Sequence, residues 1–227
     1  MPMTDPNRND LIQVAQRLGD FNDELVYVGG VVTGLLITDP AAPEIRTTSD
    51  IDCIVEVATR ADYDTRIREL LLAKGFTEMQ GEDIPICAWT IDGLRVDVMP
   101  TNDALGFHNP WYEGAMRSFE LMDLGPIAIR VISPPYFLAT KLVAFESRGK
   151  GDFMGSHDLE DIIALVDGRE ELIEDIKEAD DEVTSYLITK ISDLLANPLF
   201  AASVPGHVVD SLRTPVVLAR LQKIAES

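Results

Sequence analysis

Two aspartates one residue apart open an apolar segment near residue 50. The stretch reads RTTSDIDCIVEV and contains Asp50 and Asp52. Successive side chains of a strand point to opposite faces, so these two carboxylates share one face while Ile51 and Cys53 point into the core. Two like charges this close are unstable without a cation. Oxygen ligands suit Mg²⁺ or Mn²⁺, so the pair predicts a metal site.

A third carboxylate fits the same site. Asp97 lies between Val96 and Val98 in the strand-like segment LRVDVMP. If this strand lies beside the first, Asp97 completes a set of three acids, as two-metal phosphoryl or nucleotidyl transfer requires. Taken singly, each motif has a simpler explanation, because solvated strand ends often carry aspartate.

Candidate phosphate contacts precede the carboxylates. Gly29 and Gly30 follow the segment ELVYV, and backbone N–H groups at a helix start can approach phosphate oxygens. The hydroxyls of Thr47, Thr48 and Ser49 could donate to the same phosphates. The alternative for the glycine pair alone is an ordinary turn.

A second cluster of charged residues lies in LATKLVAFESRGKGDFMGSHDLEDI. Lys141 and Arg148 are seven apart and so share a helix face, and Lys150 follows in a glycine-rich loop. In an acidic chain this basic cluster is a candidate phosphate clamp; the alternative is cations favouring a helix C-terminus. Ser156 is a candidate N-cap of the next helix. Asp158 is then in the first turn of that helix, and the alternative to a role in the site is that its charge only stabilises the positive end of the helix dipole.

Hydrophobic periodicity divides the chain into two halves. Before Ser133-Pro134 helices alternate with strands, and IDGLR predicts a turn that joins two strands as a hairpin. After it the pattern is helical to the end. We therefore predict two domains, residues 1–133 and residues 134–227. The expected strands are in ELVYV, IDCIVEV, residues 76–79, PICAWTI, LRVDVMP and a pair around residues 125–126.

In this order the motifs resemble the polymerase-beta-type nucleotidyltransferase superfamily, and within it the AbiEii/MenT-like toxin nucleotidyltransferases. The first motif of that group is a glycine pair, a helix, a loop and Arg-x-Ser/Thr-x-Asp-Ile/Leu-Asp. It is matched position by position at Arg46, Thr48, Asp50, Ile51 and Asp52.

The later motif of the group, a helical lysine, a basic residue and Arg-Asp-x-x-Asp, is matched with one departure. His157 stands where the group usually has arginine, which leaves a weaker, pH-sensitive cation there. The resemblance covers roughly residues 25–165. The matching residues are Lys141, Arg148, Lys150, Asp158 and Asp161.

The resemblance implies a fold and an activity. The fold is α+β, with a small mixed or antiparallel sheet flanked by helices and a C-terminal helical bundle. The activity is metal-dependent transfer of a nucleoside monophosphate from an NTP to an acceptor hydroxyl. The metal ligands are Asp50, Asp52 and Asp97. The other implied site residues are Lys141 as a catalytic residue and, for nucleotide binding, Gly29, Gly30, Arg46, Thr48, Ser49, Arg148, Lys150 and Asp158.

The acceptor stays open at this point. The resemblance implies a toxin that modifies tRNA or other RNA and is paired with an antitoxin. A protein hydroxyl and a small molecule are the other acceptors that the sequence leaves open. An antibiotic-modifying type of nucleotidyltransferase and a non-catalytic nucleotide-binding module are the alternatives.

Composition narrows the class of protein. The 227 residues carry a formal net charge of −20, which argues against general nucleic-acid binding because phosphate contacts need Lys and Arg. No apolar run has the length of a membrane span, and the first ten residues have no apolar signal segment. Two cysteines, Cys53 and Cys87, are expected to be buried, reduced thiols, and the expected location is cytoplasmic.

Overall fold

A seven-stranded mixed sheet and a C-terminal set of helices make up the fold. The structure, a computed structural model, describes residues 5–149 and 151–227. The predicted α+β class, with a sheet flanked by helices and a C-terminal helical region, is confirmed. The strands are β1 (Leu25–Val28), β2 (Asp50–Val55), β3 (Thr77–Glu78), β4 (Ala88–Ile91), β5 (Leu94–Pro100), β6 (Phe119–Asp123) and β7 (Ala128–Ile132).

The described residues form two compact units. The sheet unit comprises residues 6–32 and 46–133, and the helical unit comprises residue 5 and residues 33–45 and 134–227. Residues 33–45 thus group with the C-terminal helices. The division into domains of residues 1–133 and 134–227 stays a prediction.

The order of the strands across the sheet is β3-β4-β5-β2-β1-β7-β6. β1 pairs antiparallel with β2, and β2 pairs parallel with β5. The hairpin β4–β5 forms as IDGLR predicts, because its turn residues Asp92 and Gly93 both adopt the positive φ of a type I′ turn. The predicted pair β6–β7 also forms and is antiparallel.

The helices of the sheet unit bury one face each. Helix α1 (Arg8–Leu18) buries Leu11, Val14, Ala15 and Leu18, which lie at the helical spacing i, i+3, i+4, i+7. A longer helical segment runs through α3 (Arg60–Asp62), a π-helical turn at Tyr63–Ile67 and α4 (Arg68–Ala73). A short helix α5 (Tyr112–Arg117) precedes β6.

Between β1 and β2 the chain turns at the glycine pair. Gly30–Val32 form a 3₁₀ turn that continues into α2 (Thr33–Leu36), so the predicted helix after the glycines exists but is one turn long. The segment that follows belongs to the helical unit. There the amides of Thr38 and Asp39 both donate to the carbonyl of Gly168.

The helical unit is built around α6 (Pro134–Ala144). Residues Pro134 to Leu142 of this helix are all buried, as is typical of a central core helix. Tyr136 and Phe137 are among these buried residues. The helices that follow are α7 (His157–Gly168), α8 (Leu172–Glu178), α9 (Asp181–Leu195), α10 (Pro198–His207) and α11 (Thr214–Ala225).

Helix α10 contains Pro205 within its span, although a proline in a helix interior removes one backbone donor. Within the described ranges no single helix has the length and apolar composition of a membrane span. Helices α9 and α10 pass that test only when taken together, and they are bent by 96° at the break between them.

Candidate metal and nucleotide site

Strand pairing brings the three predicted carboxylates together. In the parallel pair β2–β5, Asp52 lies directly opposite Asp97, and Asp50 lies opposite Arg95. One ligand oxygen from each of Asp50, Asp52 and Asp97 lies within 4.8 Å of the others. We call these three residues the carboxylate triad. Its geometry agrees with the sequence prediction that a second strand beside the first would complete the set.

The alternation along β2 explains how the fold accommodates these charges. Ile51 and Cys53 are buried, at 3% and 0% exposure, whereas Asp50 and Asp52 are half-buried. Asp97 is itself buried in the middle of β5. The triad therefore lies on one face of the sheet, and Ile51 and Cys53 lie on the other.

Gly29 lies directly against the triad. It directly follows β1 and has a φ of +72°. A Cβ atom at this position would overlap with Oδ2 of Asp52 and lie 2.9 Å from the Cβ of that residue. Val28 pairs with Asp52 across the antiparallel β1–β2 ladder, which explains the close approach. Only glycine leaves this carboxylate its present position.

Arg95 is a member of the site that the sequence prediction missed. Its Nε donates to Oδ1 of Asp97 at 2.9 Å, and its terminal nitrogen donates to Oδ2 at 2.7 Å. The hydrogen bonds to Asp97 raise the pKa of Arg95; burial opposes them, and the charges of Asp97, Asp50 and Asp52 add to the rise. The signal was present in the sequence, because Arg95 and Asp97 are two apart on one strand and so share a face.

Asn7 anchors the loop before the triad. Its side chain is 2% exposed; Nδ2 donates to the carbonyl of Arg46 at 3.1 Å, and Oδ1 accepts from the amide of Thr48 at 2.9 Å. The hydroxyl of Thr48 lies 3.3 Å from the carbonyl of Asp50. A small cavity of about 30 Å³ beside this loop is lined in part by Ser49 and Arg95. No local sequence signal points to Asn7, because it acts on residues about forty positions away.

The two cysteines contribute no metal ligand. Burial raises the pKa of Cys53, and the charges of Asp52 and Asp97 raise it further. Burial likewise raises the pKa of Cys87, to about 12. Both residues are buried and free, as predicted, and both are protonated near neutral pH. The triad therefore offers oxygen ligands alone.

The second predicted cluster lies in the helical unit. The ammonium of Lys141 lies 2.6 Å from Oδ2 of Asp161 and 3.3 Å from Oδ1 of Asp158. Arg148 donates two hydrogen bonds to Asp158, at 2.7 and 2.8 Å. Lys141 and Arg148 thus act on one carboxylate, as their spacing of seven predicts. Lys150 lies outside the described residues.

Charge balance distinguishes the members of this helical cluster. Lys141, Asp158 and Asp161 are all buried, whereas 70% of the Arg148 side chain is exposed. Burial alone would raise the pKa of Asp158, but the hydrogen bonds from Arg148 and the charge of Lys141 outweigh it and lower that pKa. The formal charges of the two cations and the two carboxylates sum to zero. Of the four side chains, that of Arg148 is the exposed one.

Ser156 and His157 begin α7. Ser156 accepts a hydrogen bond from the amide of Leu159 and is the N-cap, as predicted. His157, which replaces the arginine of the resembled motif, is largely exposed and pairs with Glu160 on the same helix.

Solved structures of similar fold include a nucleotidyltransferase-like protein. The sequence matches no protein-family model and no curated protein sequence. Five solved chains match its structure, among them an antigenic nucleotidyltransferase-like protein from Paracoccidioides brasiliensis. The identity to that protein is 19% and the TM-score is 0.54, over 93% of this chain and 97% of the other. The fold is nucleotidyltransferase-like. The narrower likeness to the AbiEii/MenT-like toxins stays a prediction.

Proposed function

We propose that this protein is a metal-dependent nucleotidyltransferase that transfers a nucleoside monophosphate from an NTP to an acceptor hydroxyl. The observation that carries the proposal is the carboxylate triad, whose ligand oxygens lie within 4.8 Å of one another on two adjacent strands. A similar fold in a nucleotidyltransferase-like protein supports the same reaction class.

The residues of the triad fit a divalent magnesium or manganese ion. Three carboxylates supply a hard oxygen donor set, and Cys53 points into the core on the other face of β2. Gly29 leaves room for the Asp52 carboxylate in a place that any side chain would fill. We assign Asp50, Asp52 and Asp97 as the ligands. When bound, such a metal neutralises phosphate charge and lowers the pKa of an attacking hydroxyl.

The chain's own residues have distinct proposed tasks. Asp97 either completes the ligand set or takes the proton of the acceptor hydroxyl. Gly29 and Gly30 offer backbone N–H groups to the triphosphate, and Thr48 and Ser49 offer hydroxyls from the loop that Asn7 holds. The acceptor oxygen attacks the α-phosphorus and forms one P–O bond. The bond from the α-phosphorus to the oxygen that bridges it to the β-phosphorus breaks, and pyrophosphate leaves with that oxygen.

The residues after Ser133 enter the proposal through their motif. The resemblance assigns Lys141, Arg148, Lys150 and Asp158 to phosphate contacts. Among the described members Arg148 has the exposed guanidinium, so we expect it to contact phosphate directly. Buried Lys141 then holds Asp158, which in turn orients Arg148.

The acceptor is the finer part of the proposal. RNA, and tRNA in particular, follows from the resemblance to toxins, which would also imply a cognate antitoxin. The net charge of −20 favours a small molecule or a protein hydroxyl instead. An antibiotic-modifying activity and a nucleotide-binding module without turnover are the alternative outcomes of the assay below.

The test is incorporation of label from each of the four NTPs, with Mg²⁺, into total RNA, cell lysate and a pool of small hydroxyl compounds. Wild type should label one of these pools, and Asp50→Asn should label none. Asp83→Asn is the matched control, because Asp83 is an exposed aspartate of the same unit. Full activity of Asp50→Asn would refute the assignment. Stabilisation by an NTP and Mg²⁺ without any labelling would identify the binding module.

A further inference from the structure

The Arg95 guanidinium is hydrogen-bonded to Asp97, one of the three proposed metal ligands. Arg95 and Asp97 form two parallel hydrogen bonds of 2.9 and 2.7 Å, the bidentate geometry in which guanidinium and carboxylate match best. Both oxygens of Asp97 take part. The side chain of Asp97 is 9% exposed and that of Arg95 is 30% exposed, so solvent weakens this pair less than a surface pair.

The position of Arg95 on the sheet extends its effect to the other two acids. Arg95 lies opposite Asp50 in the β2–β5 register, and Asp52 lies opposite Asp97. One guanidinium thus adjoins the whole triad and reduces its formal charge from −3 to −2. It orders the Asp97 carboxylate and, at the same time, repels a divalent cation bound to the same oxygens.

We propose that Arg95 is a positioning residue that sets the metal affinity of the triad: it holds Asp97 beside Asp52 when no metal is bound and competes with the divalent cation for that carboxylate. This proposal rests on the proposed function. A metal then binds weakly to the protein alone, and it binds tightly when phosphate oxygens of the nucleotide accept the guanidinium in place of Asp97.

The size of the effect follows from charge alone. A unit charge at about 4–6 Å changes the proton affinity of a carboxylate by about 10- to 1000-fold. A divalent cation carries twice the charge of a proton, so a tenfold change in affinity is a lower expectation. Loss of the Arg95 charge should therefore lower the dissociation constant for Mn²⁺ by about tenfold or more.

The experiment measures binding of Mn²⁺ alone to the full chain by electron paramagnetic resonance. Arg95→Gln should bind Mn²⁺ about tenfold more tightly than wild type. Arg95→Lys keeps a point charge without the bidentate fork, so its affinity should stay within about threefold of wild type. Arg17→Gln is the matched control, because it removes another arginine–aspartate pair of the same unit, at the exposed Asp92; its affinity should equal that of wild type.

A second readout is thermal unfolding, measured first without metal and then with it. In chelator Arg95→Gln should unfold at a lower temperature than wild type, because Asp97 loses its bidentate guanidinium partner. Saturating Mn²⁺ should then raise its melting temperature by more than it raises that of wild type.

The outcomes separate this inference from the proposed function. An unchanged or weaker Mn²⁺ affinity of Arg95→Gln would overturn the role of Arg95, as would an equal gain in Arg95→Lys. Asp50→Asn supplies the baseline for other acidic sites on the surface. If Asp50→Asn binds Mn²⁺ as wild type does, the metal site itself is wrong, whatever Arg95 does.

Discussion

Gly29→Ala tests whether backbone geometry holds the carboxylate triad together. The new methyl group would overlap with Oδ2 of Asp52 and lie 2.9 Å from both Cβ and Cγ of that residue. A carboxylate oxygen can rotate away, but the Cβ of Asp52 is fixed to β2, which pairs with strands on both sides. The Asp52 side chain or the end of β1 must therefore move.

Two costs add in this variant. A left-handed backbone costs alanine about 1–2 kcal/mol relative to glycine, and insertion of a methyl group into filled space costs about 1–3 kcal/mol. We expect the free energy of unfolding to fall by about 2–5 kcal/mol, the sum of these two costs. Displacement of the Asp52 carboxylate removes one of three proposed ligands, so Mn²⁺ should bind at least about tenfold more weakly, in line with the effects known for metal sites.

The assay combines urea unfolding with Mn²⁺ binding, and Gly106→Ala separates the two costs. Gly106 has a φ of +83°, and nothing lies within 4 Å of the place that its methyl group would take, so this control carries the backbone cost alone, about 1–2 kcal/mol. The reasoning is refuted if Gly29→Ala loses no more stability than Gly106→Ala and binds Mn²⁺ as wild type does.

Three further substitutions test the remaining parts of the structure. Lys141→Ala leaves two buried carboxylates without their ammonium, so the free energy of unfolding should fall by about 3–5 kcal/mol in urea. Arg148→Ala removes a partner that lowers the pKa of Asp158; its stability deficit should be fully present above pH 3.8 and disappear as the pH falls through the lowered value, measured by thermal unfolding against pH. Asn7→Ala frees the loop before Asp50 and should lower the free energy of unfolding by about 1–3 kcal/mol.

Each of these has its own control. Lys190→Ala breaks an exposed ion pair with Glu146 and should cost at most about 1 kcal/mol; an equal loss in Lys141→Ala would contradict the buried network. A deficit of Arg148→Ala that persists unchanged to the lowest pH would show that packing, not the charge of Asp158, is responsible. For Asn7, unchanged urea unfolding would show that its hydrogen bonds merely replace those to water.

Local patterns predicted the elements well where they are regular. The strand before Gly29, the strand that begins at Asp50 and the hairpin at Asp92-Gly93 all follow from alternation and turn chemistry. Helix α5 is only six residues long and helix α10 contains a proline, so neither has a strong local signal of its own. In both, packing outweighs a weak or contrary local signal.

That Asp50 and Asp52 share a face follows from the sequence, because side chains alternate between the two faces of a strand. It also supplied the glycines, the third aspartate and the basic residues as candidates. Three facts become visible only in the folded chain: β5 lies parallel beside β2 with Asp97 opposite Asp52, Arg95 donates to both oxygens of Asp97, and Gly29 lies against Asp52. The contacts of Asp52 with Asp97 and with Gly29 join segments far apart in the chain, and their register depends on how the apolar faces of whole strands pack.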